Sequence, residues 1–227
     1  MAKRKKTILS DDAVQVNSRT YGTHWRAKRG SKSPTNLNSS LQKSTEDLAA
    51  ANKAARLIKS CLDPFRYNFM GGLIWQKLVK EFKQQAKTAS AFHTSSFLRM
   101  DVWDLYQLNR FRTYFNFDCD VIDLSELRIQ IKPNQHPDFK RKFTDSYRLS
   151  MLAIFPDFEH LQVQDEGCIA DPIFMKGAVQ TIAFNFAVPE GAKHYLLVLK
   201  VEGTENGKIS GNHTIKGMQI LCGGSIG

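Results

Sequence analysis

Cysteine and histidine are the residue types in this chain that are best able to bind metals or act as nucleophile and base. A structural zinc site needs ligand pairs a few residues apart. The cysteines lie about fifty residues apart without a Cys-x-x-Cys pair, and the histidines never occur as His-x-His, His-x-x-His or His-x-x-x-His. We therefore predict no locally encoded metal site and no cofactor. The residues concerned are Cys61, Cys119, Cys168, Cys222, His24, His93, His136, His160, His194 and His213.

Two arrangements could support catalysis if the fold assembled them. The carboxylates of segment 118–123 (Asp-Cys-Asp-Val-Ile-Asp) could converge on a hard cation, but the segment lacks the glycine and terminal glutamate of an EF-hand and is typical of a turn between strands. Cys168, at what looks like the start of a strand, could use His160 or His194 as its base. No Gly-x-Ser-x-Gly elbow or phosphate-binding loop occurs. We predict a protein that is not an enzyme, and an enzyme with a fold-assembled site is the second alternative.

The net charge of +10 is concentrated at one end of the chain. Residues 1–45 hold ten Lys or Arg against two Asp, a net charge of +8, whereas residues 46–227 carry +2. A polycationic segment on a nearly neutral body is typical of a protein that binds a polyanion. The basic start is followed by Asp11 and Asp12 instead of an apolar stretch, and no run of eighteen apolar residues occurs. We expect a cytoplasmic protein with reduced thiols and with no cleaved export signal or membrane span.

Two aromatic residues lie among these charges. Tyr21 and Trp25 can stack on bases while the neighbouring Lys and Arg neutralise phosphates. We predict that this arm binds a polyanion, with nucleic acid as the leading partner and an acidic protein surface as the other. The alternative is a structural subunit of a homo-oligomer, in which the arm docks on a neighbouring subunit. The predicted binding residues are Lys3, Arg4, Lys5, Lys6, Arg19, Tyr21, Trp25, Arg26, Lys28, Arg29 and Lys32.

Two amphipathic helices are predicted within residues 45–93. Residues 44–47 (Ser-Thr-Glu-Asp) form a sequence typical of a capping box, and apolar residues then recur every three or four positions as far as Pro64, which ends the helix. Gly71-Gly72 precedes a second helix, in which apolar residues from 74 to 82 lie on one side. The opposite side forms a secondary basic face made of Lys77, Lys80, Lys83 and Lys87.

Beyond residue 97 apolar residues recur at every second position instead of every third or fourth, as expected for half-buried strands. The Asn-Gly pair at 206–207 predicts a tight reversal between antiparallel strands. The fold class is therefore α+β: a basic extended arm (1–44), a helical segment (45–93) and an antiparallel β-sandwich, immunoglobulin-like or related (97–227). The predicted strands cover residues 111–118, 127–132, 147–155, 180–188, 194–202 and 215–222.

The parts of the chain follow a recognisable order. A basic stretch containing Ser-Lys-Ser-Pro-Thr (31–35) precedes a polar helix that ends in Leu-Asp-Pro-Phe-Arg (62–66), and an all-β half follows. This order resembles a group of uncharacterised bacterial proteins that pair a basic N-terminal segment with an immunoglobulin-like C-terminal domain. The resemblance implies the sandwich fold and implies no substrate or catalytic residue.

Overall fold

The computed structural model describes residues 13–20, 22–27, 39–66, 73–89, 91–101, 115–139, 144–212 and 215–226. The chain divides between Lys43 and Ser44 into two compact units. No helix in the described part of the chain is long and apolar enough to cross a membrane.

The first unit contains a β-hairpin. Strands β1 (Ala13–Ser18) and β2 (Gly22–Ala27) pair antiparallel along their whole length. The predicted arm therefore folds back on itself between residues 13 and 27. The hairpin forms because β-branched and polar residues alternate along β1, and because Gly22 adopts a φ of +63°, which costs a residue without a Cβ little.

Two helices follow the hairpin in sequence, as predicted. Helix α1 (Ser39–Phe65) begins before the expected Ser44, because Leu, Gln and Lys at 41–43 are good helix formers. It ends one residue after Pro64, whose ring prevents further turns. Helix α2 (Ile74–Thr88) begins close to its expected position. The buried side chains of the two helices are Ala51, Ala54, Ala55, Ile58, Cys61, Leu62, Ile74, Leu78, Phe82 and Gln85.

Seven strands form a large antiparallel sheet. Its main path runs β3-β12-β10-β6-β7, with β11 paired to β10 and β8 paired to β6. The Asn206-Gly207 turn joins β10 to the short β11, and both turn residues have positive φ (54° and 72°), as in the tight hairpin turn predicted. The strands are β3 (Leu98–Asp101), β6 (Ser146–Asp157), β7 (Gln162–Ile169), β8 (Ile173–Phe174), β10 (His194–Glu205), β11 (Lys208–Ile209) and β12 (Lys216–Ser225).

A second, smaller sheet contains three antiparallel strands in the order β4-β5-β9. These strands are β4 (Phe117–Asp123), β5 (Arg128–Pro133) and β9 (Ile182–Asn185). Each predicted strand segment overlaps a strand of one of the two sheets, although residues 111–114 of the first segment lie outside the described residues. The sequence did not predict β3, β7, β8 or β11, nor the strands β1 and β2 of the hairpin, since residues 1–44 were expected to be an extended arm.

The large sheet is covered on both faces. Leu196 and Val198 of β10 pack with the buried side chains of α1 and α2. The alternate residues Leu197 and Leu199 pack in a separate cluster with the small sheet, for example with Ile131. Because both faces are covered, β6 and β10 are buried almost continuously instead of at every second residue. The predicted α+β class, with two helices and antiparallel sheets, is confirmed.

Candidate nucleic-acid interface and other side-chain clusters

The hairpin of β1 and β2 has two different faces. Trp25 lies opposite Gln15, and Thr23 lies opposite Asn17. Since side chains alternate along a strand, these four residues share one face. All four are exposed, and the Trp25 side chain, at 54% exposure, is large enough to act as a stacking platform. The other face, which includes the half-buried Val16, is less accessible.

Three of the predicted arm residues lie on this hairpin. Arg19 is exposed in the turn between the strands, Trp25 is exposed in β2, and Arg26 pairs with Val14 along the backbone. Arg26 therefore follows the exposed Trp25 directly in the sequence, and Arg19 lies in the turn at the end of the hairpin. The other eight predicted arm residues lie outside the described residues: Lys3, Arg4, Lys5, Lys6, Tyr21, Lys28, Arg29 and Lys32.

The lysines of the secondary basic face follow the side of α2 that is turned away from the core. Ile74, Leu78 and Phe82 are fully buried on the opposite side. Spacings of three and four residues keep the lysines together on one side of a helix. The face consists of Lys77 and Lys83, which are half-buried, and Lys80 and Lys87, which are exposed.

The alternating carboxylates of segment 118–123 lie in strand β4, so the expected loop is wrong. Lys132 Nζ of the neighbouring strand donates a hydrogen bond to Asp120 Oδ2 at 2.6 Å, which raises the pKa of Lys132. The hydroxyl and backbone N–H of Ser125 donate to Asp123 Oδ1 at 2.7 and 2.8 Å, which lowers the pKa of Asp123. Among the described residues, this segment joins no group of three metal ligands.

The predicted pairing of Cys168 with a histidine base is not formed among the described residues. Cys168 is the second-to-last residue of β7 instead of the first residue of a strand, and within the described chain no hydrogen bond joins it to His160 or His194. Cys61 is buried in α1, and burial raises the pKa of its thiol to about 12. A thiol with so high a pKa stays protonated at neutral pH and is a poor nucleophile.

A cluster that was not predicted occupies the turn between β6 and β7. Ligand atoms of Asp157, Glu159 and His160 lie within 4.8 Å of one another. Asp157 accepts hydrogen bonds from the backbone of His160 at 3.0 Å, from the His160 ring at 2.7 Å and from the backbone of Glu159 at 2.9 Å, and these bonds lower its pKa. Lys193 Nζ donates to Glu159 at 2.8 Å, which lowers the pKa of Glu159. Hydrogen bonds within the turn and from Lys193 thus satisfy the two carboxylates and close the turn. An Asp before a turn is the sequence signal for such an arrangement.

A cavity of about 670 Å³ lies beside this turn, lined in part by Phe92, Phe158, Pro189 and His194. The His194 Nδ1 atom is buried and has no hydrogen-bond partner in the described chain. Its ring lies 5.8 Å from the Phe158 ring, centroid to centroid. Burial lowers the pKa of His194 below its usual 6.5, so the imidazole is neutral at pH 7.

Stability should decrease as the solution is acidified through the pKa of His194. The folded pKa lies below the unfolded value of 6.5, so the unfolded chain takes up the proton first. The stabilisation is complete above pH 6.5 and is lost as the pH falls through the folded pKa. We expect the thermal midpoint to fall more between about pH 7.5 and about pH 5 in the wild type than in His194→Gln. Equal losses in the two proteins would contradict this assignment.

A second group of buried charges lies on the large sheet. The carboxylate of Glu202 is within 3.4 to 3.8 Å of Arg148, Lys200 and Lys216 on β6, β10 and β12. Lys200 also donates to the Phe65 carbonyl at 3.1 Å and lies 4.7 Å above the Phe65 ring, so it connects the end of α1 to the sheet. Burial lowers the pKa of Lys200. These contacts offset the cost of burying Glu202 and give the group a structural role.

Exposed positive charge distinguishes the hairpin and the lysine face of α2 from the other groups described above. The charged groups of the β6–β7 turn contact one another and Lys193, and the three cations of the large sheet share the buried carboxylate of Glu202. Inference about function therefore rests on the hairpin and the helix face. No protein-family model matches the chain, and no curated protein matches it.

Proposed function

We propose that this protein is a non-enzymatic interaction or assembly protein whose basic arm binds a polyanion, with nucleic acid as the leading partner. One observation carries the proposal: the exposed Trp25 shares a hairpin face with Gln15, Asn17 and Thr23, inside a segment of net charge +8. The indole provides a surface for base stacking, and the three polar side chains can form hydrogen bonds to nucleotides.

The dimensions of the hairpin also suit a nucleic-acid ligand. A two-stranded ribbon is narrow enough to enter the major groove of a duplex, and it can equally lie along a single strand. The flanking Lys and Arg would neutralise phosphates and release condensed counterions, which makes binding strongly salt-dependent. The lysine face of α2 is a second, weaker contact in this proposal.

The proposal gives the β-rich half the task of docking to partners or to other copies, as a sandwich of immunoglobulin-like or related type. The hydrophobic cluster shared by Leu197 and Leu199 of the large sheet with Ile129 and Ile131 of the small one supports a two-sheet sandwich. The all-antiparallel pairing of both sheets also supports it.

Replacing Trp25 tests the stacking contact. Trp25→Ala should weaken binding to a single-stranded oligonucleotide by about tenfold, because one base–aromatic stack is lost. Trp25→Phe, which keeps an aromatic ring, should lose less. Fluorescence anisotropy with a labelled oligonucleotide measures both affinities. Phe174→Ala is the matched control, since Phe174 is similarly exposed (65%) and lies outside the arm. An affinity for Trp25→Ala equal to that of the control would remove Trp25 from the proposed interface.

A further inference from the structure

β7 is the last strand of the large sheet, and no strand of the described chain pairs with its outer side. The N–H of Ala170 donates to Leu149 at 2.9 Å, so this pair is a hydrogen-bonded one. Hydrogen-bonded and non-hydrogen-bonded pairs alternate along antiparallel strands. The residues that direct their backbone N–H and C=O away from β6 are therefore Val163, Asp165, Gly167 and Ile169.

This edge is acidic in a chain that is basic overall. Residues 157–171 contain five carboxylates and no Lys or Arg. Two of the five, Asp157 and Glu159, are satisfied within the β6–β7 turn and by Lys193. The remaining three, Asp165, Glu166 and Asp171, are exposed. Glu166 accepts a hydrogen bond from the backbone N–H of Ala187 at 3.0 Å and Asp165 interacts with the Cys61 thiol, but no cation of the described chain pairs with any of the three. The edge thus keeps a concentrated negative charge.

An exposed apolar residue follows the carboxylates on the same strand. Ile169 is 62% exposed and lies four positions after Asp165. Side chains four positions apart on a strand lie on the same face, so the acidic and apolar contacts are aligned. A ligand strand that runs parallel to β7 would match these contacts with a basic residue and, four positions later, an apolar one.

The N-terminal segment of the chain has this pattern. Residues 3–9 read Lys-Arg-Lys-Lys-Thr-Ile-Leu, in which Ile8 lies four positions after Arg4. If such a segment ran parallel to β7, with Arg4 beside Asp165, then Lys5 would lie beside Glu166 and Ile8 beside Ile169. Opposite charges and apolar pairs on neighbouring strands stabilise a sheet.

We propose that residues 3–9 of a second copy of this chain add as a strand to the outer edge of β7. Main-chain hydrogen bonds supply affinity in such strand addition, and the aligned side chains supply specificity. Pairing of two β7 edges with each other is disfavoured, because it would place the Asp165-Glu166 pairs of two copies close together. Since the arm and the edge are different surfaces, the contact is heterologous, and copies associate head to tail.

This contact goes beyond nucleic-acid binding and does not depend on it. It gives the arm a second ligand, so nucleic acid and the β7 edge compete for the same cations. Added nucleic acid is therefore expected to dissociate the self-associated protein.

Charge reversal on each surface tests the proposal in the full-length, nucleic-acid-free protein. We expect wild-type self-association, measured by sedimentation velocity, to be stronger at about 0.1 M than at about 1 M salt. The edge variant Asp165→Lys/Glu166→Lys and the arm variant Arg4→Glu/Lys5→Glu should each associate about tenfold more weakly. An equimolar mixture of the two should regain association, because the wild-type arm of one variant meets the wild-type edge of the other. Undiminished association of either variant alone, or no recovery in the mixture, would overturn the proposal.

A peptide of residues 1–10 provides a second measurement that needs no variant to fold. It should dissociate the wild-type assembly by occupying the edge. A scrambled peptide of the same composition keeps the charge and loses the four-residue spacing, so it should be less effective. Equal potency of the two peptides, or no effect of either, would exclude the strand-addition contact.

Discussion

Replacement by Gln of the nine arm Lys and Arg residues that are predicted to bind should weaken nucleic-acid binding about a thousandfold or more at moderate salt. Each Lys or Arg that meets a phosphate releases a condensed counterion, so the loss accumulates with every contact removed. The slope of log affinity against log salt should fall towards zero in the same variant. Fluorescence anisotropy over a salt series measures both quantities. The replaced residues are Lys3, Arg4, Lys5, Lys6, Arg19, Arg26, Lys28, Arg29 and Lys32.

A matched pair of variants tests whether nucleic-acid affinity depends on where the positive charge lies or only on the net charge. One variant replaces the four basic residues 3–6 by Gln, and the other replaces the four lysines of the α2 face. Both lose four charges, so a purely net-charge effect would weaken them equally. We expect the arm variant to lose clearly more affinity. A larger loss in the α2 variant would move the interface from the arm to the helix. Unchanged affinity after all nine replacements would refute the proposed function.

Phe82→Ala should destabilise the fold by about 3 to 5 kcal/mol. Phe82 is fully buried in α2, and its ring lies between 5.2 and 5.4 Å from the rings of Phe92, Phe97 and Phe158, centroid to centroid. These partners come from the loop after α2, from the approach to β3 and from the β6–β7 turn. Truncation therefore removes buried surface and edge-to-face ring contacts, and leaves a cavity between the helix and the large sheet.

Chemical denaturation followed by far-UV circular dichroism measures this loss as a lower midpoint. Phe82→Leu should cost less, since it fills most of the space. Lys80→Ala, two residues away and exposed on the same helix, is the control and should change stability by no more than about 0.5 kcal/mol. A Phe82→Ala midpoint close to that of Lys80→Ala would show that α2 is not packed on the sheet.

The two helices could be predicted because their sequences carry the period of a helix without ambiguity. In α2 the apolar residues Ile74, Leu78 and Phe82 repeat every four positions, and these residues are fully buried. The start of α1 was predicted less well, because the residues before Ser44 are good helix formers that lack an apolar stripe. Patterning identifies a helix by its buried face, so it does not detect an exposed first turn.

β7 could not be predicted because it has little burial pattern. Its residues are almost all exposed, as expected for an edge strand, whereas the period-two rule detects strands that are covered on one face. The sequence located the central strands β6 and β10 but did not predict the layers that cover them. A continuous apolar run does not reveal which layer lies on each face. The group around Glu202 was missed because its members come from three separate strands. The cluster around Asp157 lies within one turn, where an Asp before the turn was the available signal.

The sequence by itself determined the distribution of charge, the two helices, the α+β class and the Asn206-Gly207 turn, because each depends on composition or on residues close together in the chain. The tertiary structure alone decided that Trp25 lies on an exposed hairpin face, that segment 118–123 is a strand, and that β7 is an acidic edge strand in the described part of the large sheet. These features depend on which strands become neighbours. Strand pairing in the large sheet also joins residues far apart in sequence, such as Met151 and Leu199, and no local pattern encodes such a pair.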